Sequence, residues 1–239
     1  MKALIFAAGL GTRLKPLTDH MPKALVEVGG RPLLDITIHR LVDAGATEIV
    51  VNVHHFAQQI VDHIAANSYG VPVRISDESA ALLDTGGGLR AAAHIFTPSH
   101  DPILIHNVDI LHNADLRAFV AAAQADPMTL LVSRRTTTRY LLFDADRRLV
   151  GWTNTATGEV RSPYGQIDPS HFTPLAFSGI HCFSPSALPL LDAYPEKFPI
   201  MDFYLSACRD LPIRAYCLDD LRLLDVGKLS SLAGAEAFL

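Results

Sequence analysis

The chain is poor in cysteine. Cys182, Cys208 and Cys217 are odd in number, widely spaced and free of any C-x-x-C pair, so neither a disulfide framework nor a zinc site is expected. No apolar run approaches the ~20 residues needed to cross a bilayer, although 49% of the residues are hydrophobic, and no membrane association is expected. Positive charge is not in excess. A net charge of −5 argues against a nucleic-acid partner, which normally meets a basic face. None of the eleven histidines forms an H-x-x-x-H pair, and the adjacent His54 and His55 at a strand end point to opposite sides. Those residues and His106 are therefore expected to pack or to face solvent rather than to hold a metal. No Ser-His or Cys-His arrangement suggests a protein nucleophile.

At 239 residues the chain has room for one sizeable α/β domain but not for a second large one. Residues 2–7 read as a buried strand, and Gly9, Gly11, Arg13 and Lys15 interrupt the apolar run before it could serve as a signal segment. The expectation is a cytoplasmic protein. Pro32 suits the first turn of a helix in which Leu34, Ile38, Leu41 and Val42 recur at helical spacing up to Gly45. Residues 48–53 are strand-like, and Ile60, Val61 and Ile64 mark a helix that ends near Asn67. Residues 71–76 and 103–106 give further strands, separated by Gly86-Gly87-Gly88 and a short alanine-rich helix. Alternating strands and helices imply a mostly parallel mixed sheet with helices on both faces.

Past a helix over residues 116–125 the pattern changes to shorter strands around Leu130, Leu141, Val150 and Ile180. Residues 153–173, rich in Thr, Pro and Gly, read as an excursion over the surface. Residues 188–194, 202–209 and 228–239 read as helices, with Asp202 as an N-cap, and residues 223–226 as a last short strand.

Chemistry concentrates in residues 7–25. The string Ala7-Ala8-Gly9-Leu10-Gly11-Thr12-Arg13-Leu14-Lys15-Pro16-Leu17-Thr18 is followed by Pro22-Lys23-Ala24-Leu25. Paired glycines let backbone approach a ligand, exposed N–H groups can hold phosphate oxygens, and Arg13 and Lys23 supply positive charge. The third glycine of a dinucleotide fingerprint is missing, and nothing matches G-x-x-x-x-G-K-[ST]. Three later motifs accompany it: Leu83-Asp84-Thr85-Gly86-Gly87-Gly88, Asn107-Val108-Asp109 at a strand end, and Leu224-Asp225-Val226-Gly227. Taken singly, the glycines read as a helix entry and each Asp as a turn residue.

In this order the four motifs resemble those of the sugar-1-phosphate nucleotidyltransferases, the nucleoside-diphosphate-sugar pyrophosphorylase family, along the whole chain. The resemblance implies a Rossmann-like, glycosyltransferase-A-like three-layer sandwich, with residues 1–115 as the nucleotide-binding part and 116–239 as the sugar-binding part. It implies transfer of a nucleotidyl group from a nucleoside triphosphate to a sugar 1-phosphate, with Mg²⁺ as cofactor and a monomer or small homo-oligomer as the working form. The implied nucleotide-binding residues are Ala8, Gly9, Gly11, Thr12, Arg13, Lys23, Thr85, Gly86 and Asn107. Arg13, Lys23 and Asp109 would be catalytic, Asp109 and Asp225 the metal ligands, and Glu159 and Gly179 the sugar contacts.

A departure from the family pattern is the Glu-Lys-Pro segment whose Lys holds the sugar phosphate in many members. The corresponding stretch here is Gly151-Trp152-Thr153-Asn154, which leaves that cation unassigned. The short chain, the Asp-Thr-Gly-Gly-Gly loop and the missing Glu-Lys-Pro look most like the N-acetylmuramate-1-phosphate uridylyltransferases. Mannose-1-phosphate guanylyltransferases come second and cytidylyltransferases of small phosphates third. A non-catalytic sugar-nucleotide sensor is the alternative of another class, and it would have no need of both carboxylates and both cations.

Overall fold

The computed structural model describes residues 1–239. Strand β1 (Lys2–Phe6) runs into the glycine loop, and short 3₁₀ turns at Thr12–Leu14, Leu17–Asp19 and Lys23–Leu25 follow. The hairpin of β2 (Glu27–Val28) and β3 (Arg31–Pro32) leads into α1 (Leu33–Asp43), then β4 (Glu48–Val53), α2 (Ala57–Ala66), β5 (Val73–Asp77) and α3 (Asp84–Ala93). The central stretch holds β6 (Ile103–Asn107), β7 (Ile110–His112), α4 (Leu116–Ala123), β8 (Met128–Ser133), β9 (Arg139–Phe143), β10 (Leu149–Asn154) and β11 (Glu159–Arg161). The chain closes with β12 (Thr173–Phe183), α5 (Ile200–Ala207), β13 (Ile213–Cys217), β14 (Leu223–Asp225) and α6 (Leu229–Leu232).

The large sheet runs β11-β10-β9-β12-β6-β1-β4-β5, with β8 joining β12 to β13. β6, β1, β4 and β5 pair in parallel, as do β8 and β13, while β12 lies antiparallel between them. Side chains alternate across the pleat, and that alternation builds two cores. Ala3, Ile5, Ile49 and Val51 face α1, α2 and α4, where Leu34, Ile38, Ile60 and Phe119 are fully covered. Leu4 and Val50 face the opposite side, against Leu89 of α3 and Phe203 and Tyr204 of α5. Helices cover both faces, so the three-layer α/β arrangement expected from the sequence is the one that forms.

Several local expectations change. The three glycines lie inside α3 rather than in a loop before it, because the segment carrying Phe198 docks against that turn. Gly86 and Gly87 N–H both donate to the Phe198 carbonyl, at 2.8 and 3.3 Å, and Arg90 ties down the carbonyls of Leu191, Tyr194 and Pro195. The expected excursion over residues 153–173 begins as ordered sheet, since β10 and β11 form a hairpin at its edge. Residues 188–193 belong to a 3₁₀ helix, Pro185–Ala193, and Tyr194 is already extended. Asp202 is no N-cap. α5 already starts at Ile200, and Asp202 pairs with Arg161 at 2.7 Å. The strand expected over residues 223–226 forms, but outside the main sheet, as an antiparallel ribbon of β14 with β7. β13 was not expected at all.

Gly87 shows what the docking requires. A Cβ there would lie 2.3 Å from the backbone oxygen of Glu196, an atom with no side-chain freedom to move away. Ala is the better helix former by ~1 kcal/mol, but overpacking costs ~1–3 kcal/mol, and more against rigid backbone. Gly87→Ala should therefore lower the melting temperature by several degrees in a thermal scan. An unchanged or raised value would mean that segment 195–199 is free to retreat.

Candidate active site

At the C-terminal ends of β1, β4 and β6 the chain opens a cleft of about 470 Å³, a size suited to a small molecule. Ligands of open α/β sheets bind at this rim. Ala8, Gly9, Gly11, Thr12, Arg13, Lys23, Thr85, Asn107 and Asp109 all line it, so one cavity collects most of the residues singled out in the sequence.

The glycine loop is shaped from below and from the side. Ala7 and Ala8 N–H both donate to Asn52 Oδ1, at 2.7 and 3.2 Å. Gly11 has φ +65°, and a Cβ on it would sit 2.9 Å from Thr18 Cγ2 and 3.2 Å from Lys23 Cβ. The Thr18 hydroxyl donates to the Gly11 carbonyl at 2.8 Å and the Leu14 N–H to the same oxygen at 2.9 Å. The loop therefore turns tightly and presents the Thr12–Leu14 turn, with Arg13, to the cleft.

Three charged groups, Arg13, Lys23 and Asp109, meet there, and a fourth, Asp225, stands beside them without lining the cleft. Lys23, only 8% exposed, donates from Nζ to Asp109 Oδ2. Asp225 reaches Asp109 through the ribbon: β14 pairs with β7 so that Asp225 lies opposite Ile110, and the Val226 N–H donates to the Asp109 carbonyl at 2.8 Å. Asp225 is exposed as a residue, but partial desolvation of its carboxyl and then the neighbouring Asp109 charge push it above the usual carboxylate range, while Lys23 and Arg13 pull it back. Arg13 lies against Gly227, where a Cβ would come 2.8 Å from Nη2. The glycine after Asp225-Val226 thus makes room for the arginine. The two carboxylates are brought together by the antiparallel ribbon of β14 with β7, outside the main sheet.

No group of three or more His, Cys, Asp or Glu side chains could hold a metal. Two adjacent carboxylates supply only hard oxygen donors, and this suits Mg²⁺, which takes one or two of them together with phosphate oxygens and water. Asp109 and Asp225 are the residues that would hold it.

Asn107 ends β6 opposite the irregular stretch of β12, where Gly179 has φ +78° and a Cβ would lie 2.7 Å from Asn107 Nδ2. Gly179 is thus beside the cleft without lining it. Behind Asn107 lies a closed hydrogen-bond chain. The Ala114 N–H donates to His112 Nδ1, His112 Nε2 faces His106 Nε2 at 3.0 Å, and His106 Nδ1 meets the Asn107 carbonyl at 2.7 Å. With His112 accepting at Nδ1, only neutral rings with His112 donating to His106 complete the chain. Burial agrees, pushing His106 down to about 4 and His112 lower still. These histidines are packing residues, as expected.

Two expected contacts lie elsewhere. Gly86 is buried against the Phe198 ring, where a Cβ would come within 2.3 Å, and does not line the cleft. Glu159 sits exposed on β11, the far edge strand, and does not line it either. Thr85 lines the cleft but also accepts the Ile200 N–H at 2.9 Å, which ties α3 to α5. Sequence reasoning missed Asn52 and Glu78, both cleft residues. The available signal was a lone polar residue near the end of an apolar strand and an acid just past another.

The sequence model of the nucleotidyl transferase family matches residues 2–239. N-acetylmuramate alpha-1-phosphate uridylyltransferase of Caulobacter vibrioides is 37% identical over 190 residues, covering 77% of this chain and 75% of the relative. Mannose-1-phosphate guanyltransferase of Schizosaccharomyces pombe is 37% identical over 139 residues, 56% of this chain but 38% of that longer protein. Among solved structures, HddC of Yersinia pseudotuberculosis complexed with GMP-PN superposes with a TM-score of 0.76. It covers 99% of this chain and 98% of its own, at 21% identity, a likeness of fold.

Proposed function

Because this chain belongs to the nucleotidyl transferase family, we propose that it transfers a nucleotidyl group from a nucleoside triphosphate to a sugar 1-phosphate, with UTP and N-acetylmuramate 1-phosphate as the preferred pair. The observation that carries this reading is the convergence of Arg13, Lys23 and Asp109 beside a glycine loop in one cleft, with Asp225 next to Asp109 at its edge. The choice of pair rests on the relative that matches over three quarters of both chains.

In the reaction an oxygen of the sugar phosphate attacks the α-phosphorus in line. The bond from that phosphorus to the bridging oxygen of the β-phosphate breaks, and pyrophosphate leaves with the electron pair. Positioning and charge neutralisation suffice for such a step, and no protein nucleophile is required. The N–H groups of the glycine loop and the guanidinium of Arg13 hold phosphate oxygens, and the Lys23 ammonium neutralises charge as it grows on the departing pyrophosphate. Mg²⁺ on Asp109 and Asp225 would supply further neutralisation of the triphosphate. Nearly all lining residues of the cleft come from positions 6–109, which supports residues 1–115 as the nucleotide part and leaves the sugar to residues 116–239.

A pyrophosphate-release screen over four triphosphates and a panel of sugar phosphates tests this. UTP with N-acetylmuramate 1-phosphate should give the highest kcat/KM. A clear preference for GTP with mannose 1-phosphate would replace it with the second reading, supported by the Schizosaccharomyces relative. No turnover with any pair, together with nucleotide binding, would leave a sensor.

A further inference from the structure

Beneath the cleft lies a buried polar pair that the chemistry above does not use. Asn52 is 3% exposed and Glu78 2%, yet both line the cavity. Asn52 receives the first two N–H groups of the glycine loop on Oδ1 and donates from Nδ2 to Glu78 Oε1 at 2.8 Å. The other carboxylate oxygen, Oε2, accepts the Leu83 N–H at 3.1 Å, just before α3 and the cleft residues Asp84 and Thr85. One carboxylate thereby connects the two walls of the cleft, through an amide on one side and directly on the other.

The chemistry of the two side chains makes the link directional. A carboxylate only accepts, so it fixes the Asn52 amide with its nitrogen inward and its oxygen toward Ala7 and Ala8. Burial pushes the Glu78 carboxyl above its ordinary range, and its two hydrogen bonds only partly offset this. Burying such a group costs more than burying an apolar side chain of the same size, so a core that served only packing would gain by losing it. Space is kept for the pair as well. A Cβ on Gly88 of α3 would come 2.8 Å from Glu78 Oε1 and 3.1 Å from Asn52 Nδ2.

We propose that Asn52 and Glu78 are positioning residues that set the spacing between the phosphate-binding loop and the opposite wall at Asp84 and Thr85, and so govern affinity for the nucleotide rather than the chemical step. The inference rests on the nucleotidyltransferase reading of the cleft. A Gln at 78 offers one acceptor for two donors and leaves either Asn52 Nδ2 or the Leu83 N–H without a partner. An Ala at 88 leaves the charge in place but displaces the carboxylate.

The test is calorimetric titration of wild type, Glu78→Gln and Gly88→Ala with UTP, GTP, CTP and ATP in the presence of Mg²⁺, with a thermal melt of each protein and steady-state kinetics on the preferred pair. Glu78→Gln should weaken binding of the preferred triphosphate about tenfold, the size of one lost hydrogen bond to a charged group. Gly88→Ala should act in the same direction, although Ala favours the helix. The KM for the sugar phosphate and kcat at saturating nucleotide should stay within about threefold, since neither residue is asked to act in the chemical step. Unchanged nucleotide affinity in both variants, or a loss confined to kcat, would overturn the proposal while leaving the function of the cleft intact. If the wild type bound none of the four triphosphates, the reading of the cleft itself would fall, and the proposal with it.

Discussion

Asp225→Asn is expected to cut kcat/KM by about 10²–10³-fold, the scale of losing one preorganised electrostatic group at a transition state, while leaving the fold intact. The ribbon that carries Asp225 is held by backbone pairing with β7 and by the Val226 N–H on the Asp109 carbonyl, neither of which needs the carboxylate. Asp225 is an exposed residue, so solvent screens its carboxylate, which burdens the folded state only slightly. Its pKa is raised by partial desolvation and by Asp109, so the folded protein binds that proton more tightly than the unfolded chain does. A raised carboxyl pKa means that stability is greatest with the proton on and falls as pH rises from the unfolded to the folded value, an effect kept small here by the exposure of the group. Asn removes the charge and keeps the shape, so the metal-free variant should melt at the same temperature as wild type or above it. A gain in stability with a loss of activity is the signature of a group kept for function.

Asp109→Asn should behave alike in activity, and the double variant should be little worse than the worse single one, since residues acting as a unit are not additive. Activity and its Mg²⁺ dependence are read together. Normal turnover with an unchanged Mg²⁺ requirement in Asp225→Asn would make Asp225 a ribbon residue and end the two-carboxylate site.

What could be read from the sequence follows from the range over which each signal acts. β1, α1, β4, α2 and β6 were legible because apolar periodicity is local, and the glycine loop because its residues are contiguous. The glycines of α3 were misread because glycine is a poor helix former, and only the docking of Phe198 and Glu196, more than a hundred residues away, makes small residues necessary in that helix. Asp225 is legible from its motif but its route to Asp109 is not, since a three-residue strand carries no sign of which partner it will choose. Asn52 and Glu78 act only through each other and through backbone of two other segments. Such a network has no spacing signature, and only the folded chain displays it.

Lys23→Ala should lower kcat by at least ~10²-fold, and the site geometry says why the loss should be of charge and not of volume. Lys23 opens the Lys23–Leu25 turn after Pro22, its Cβ lies beside Gly11, and its ammonium rests on Asp109 in a place that water barely reaches. In such surroundings a charge is screened little, so its interaction with phosphate oxygens is strong and its removal is felt in full. Removal also leaves Asp109 and Asp225 facing each other, with Arg13 as the cation that still acts on Asp225. Lys23→Met, which keeps the length of the side chain, should lose as much as Lys23→Ala. Lys23→Arg should restore little, because a planar fork does not replace a compact ammonium in a closed space. Lys15 is the internal control: it belongs to the same basic stretch of sequence but is 61% exposed at its side chain and pairs with Asp19 at 3.1 Å. An exposed pair of that kind contributes little, so Lys15→Ala should change kcat by less than about twofold. Equal losses at positions 15 and 23 would mean that the stretch acts as a diffuse positive field. A loss at 23 alone assigns the effect to one ammonium held at one point beside Asp109.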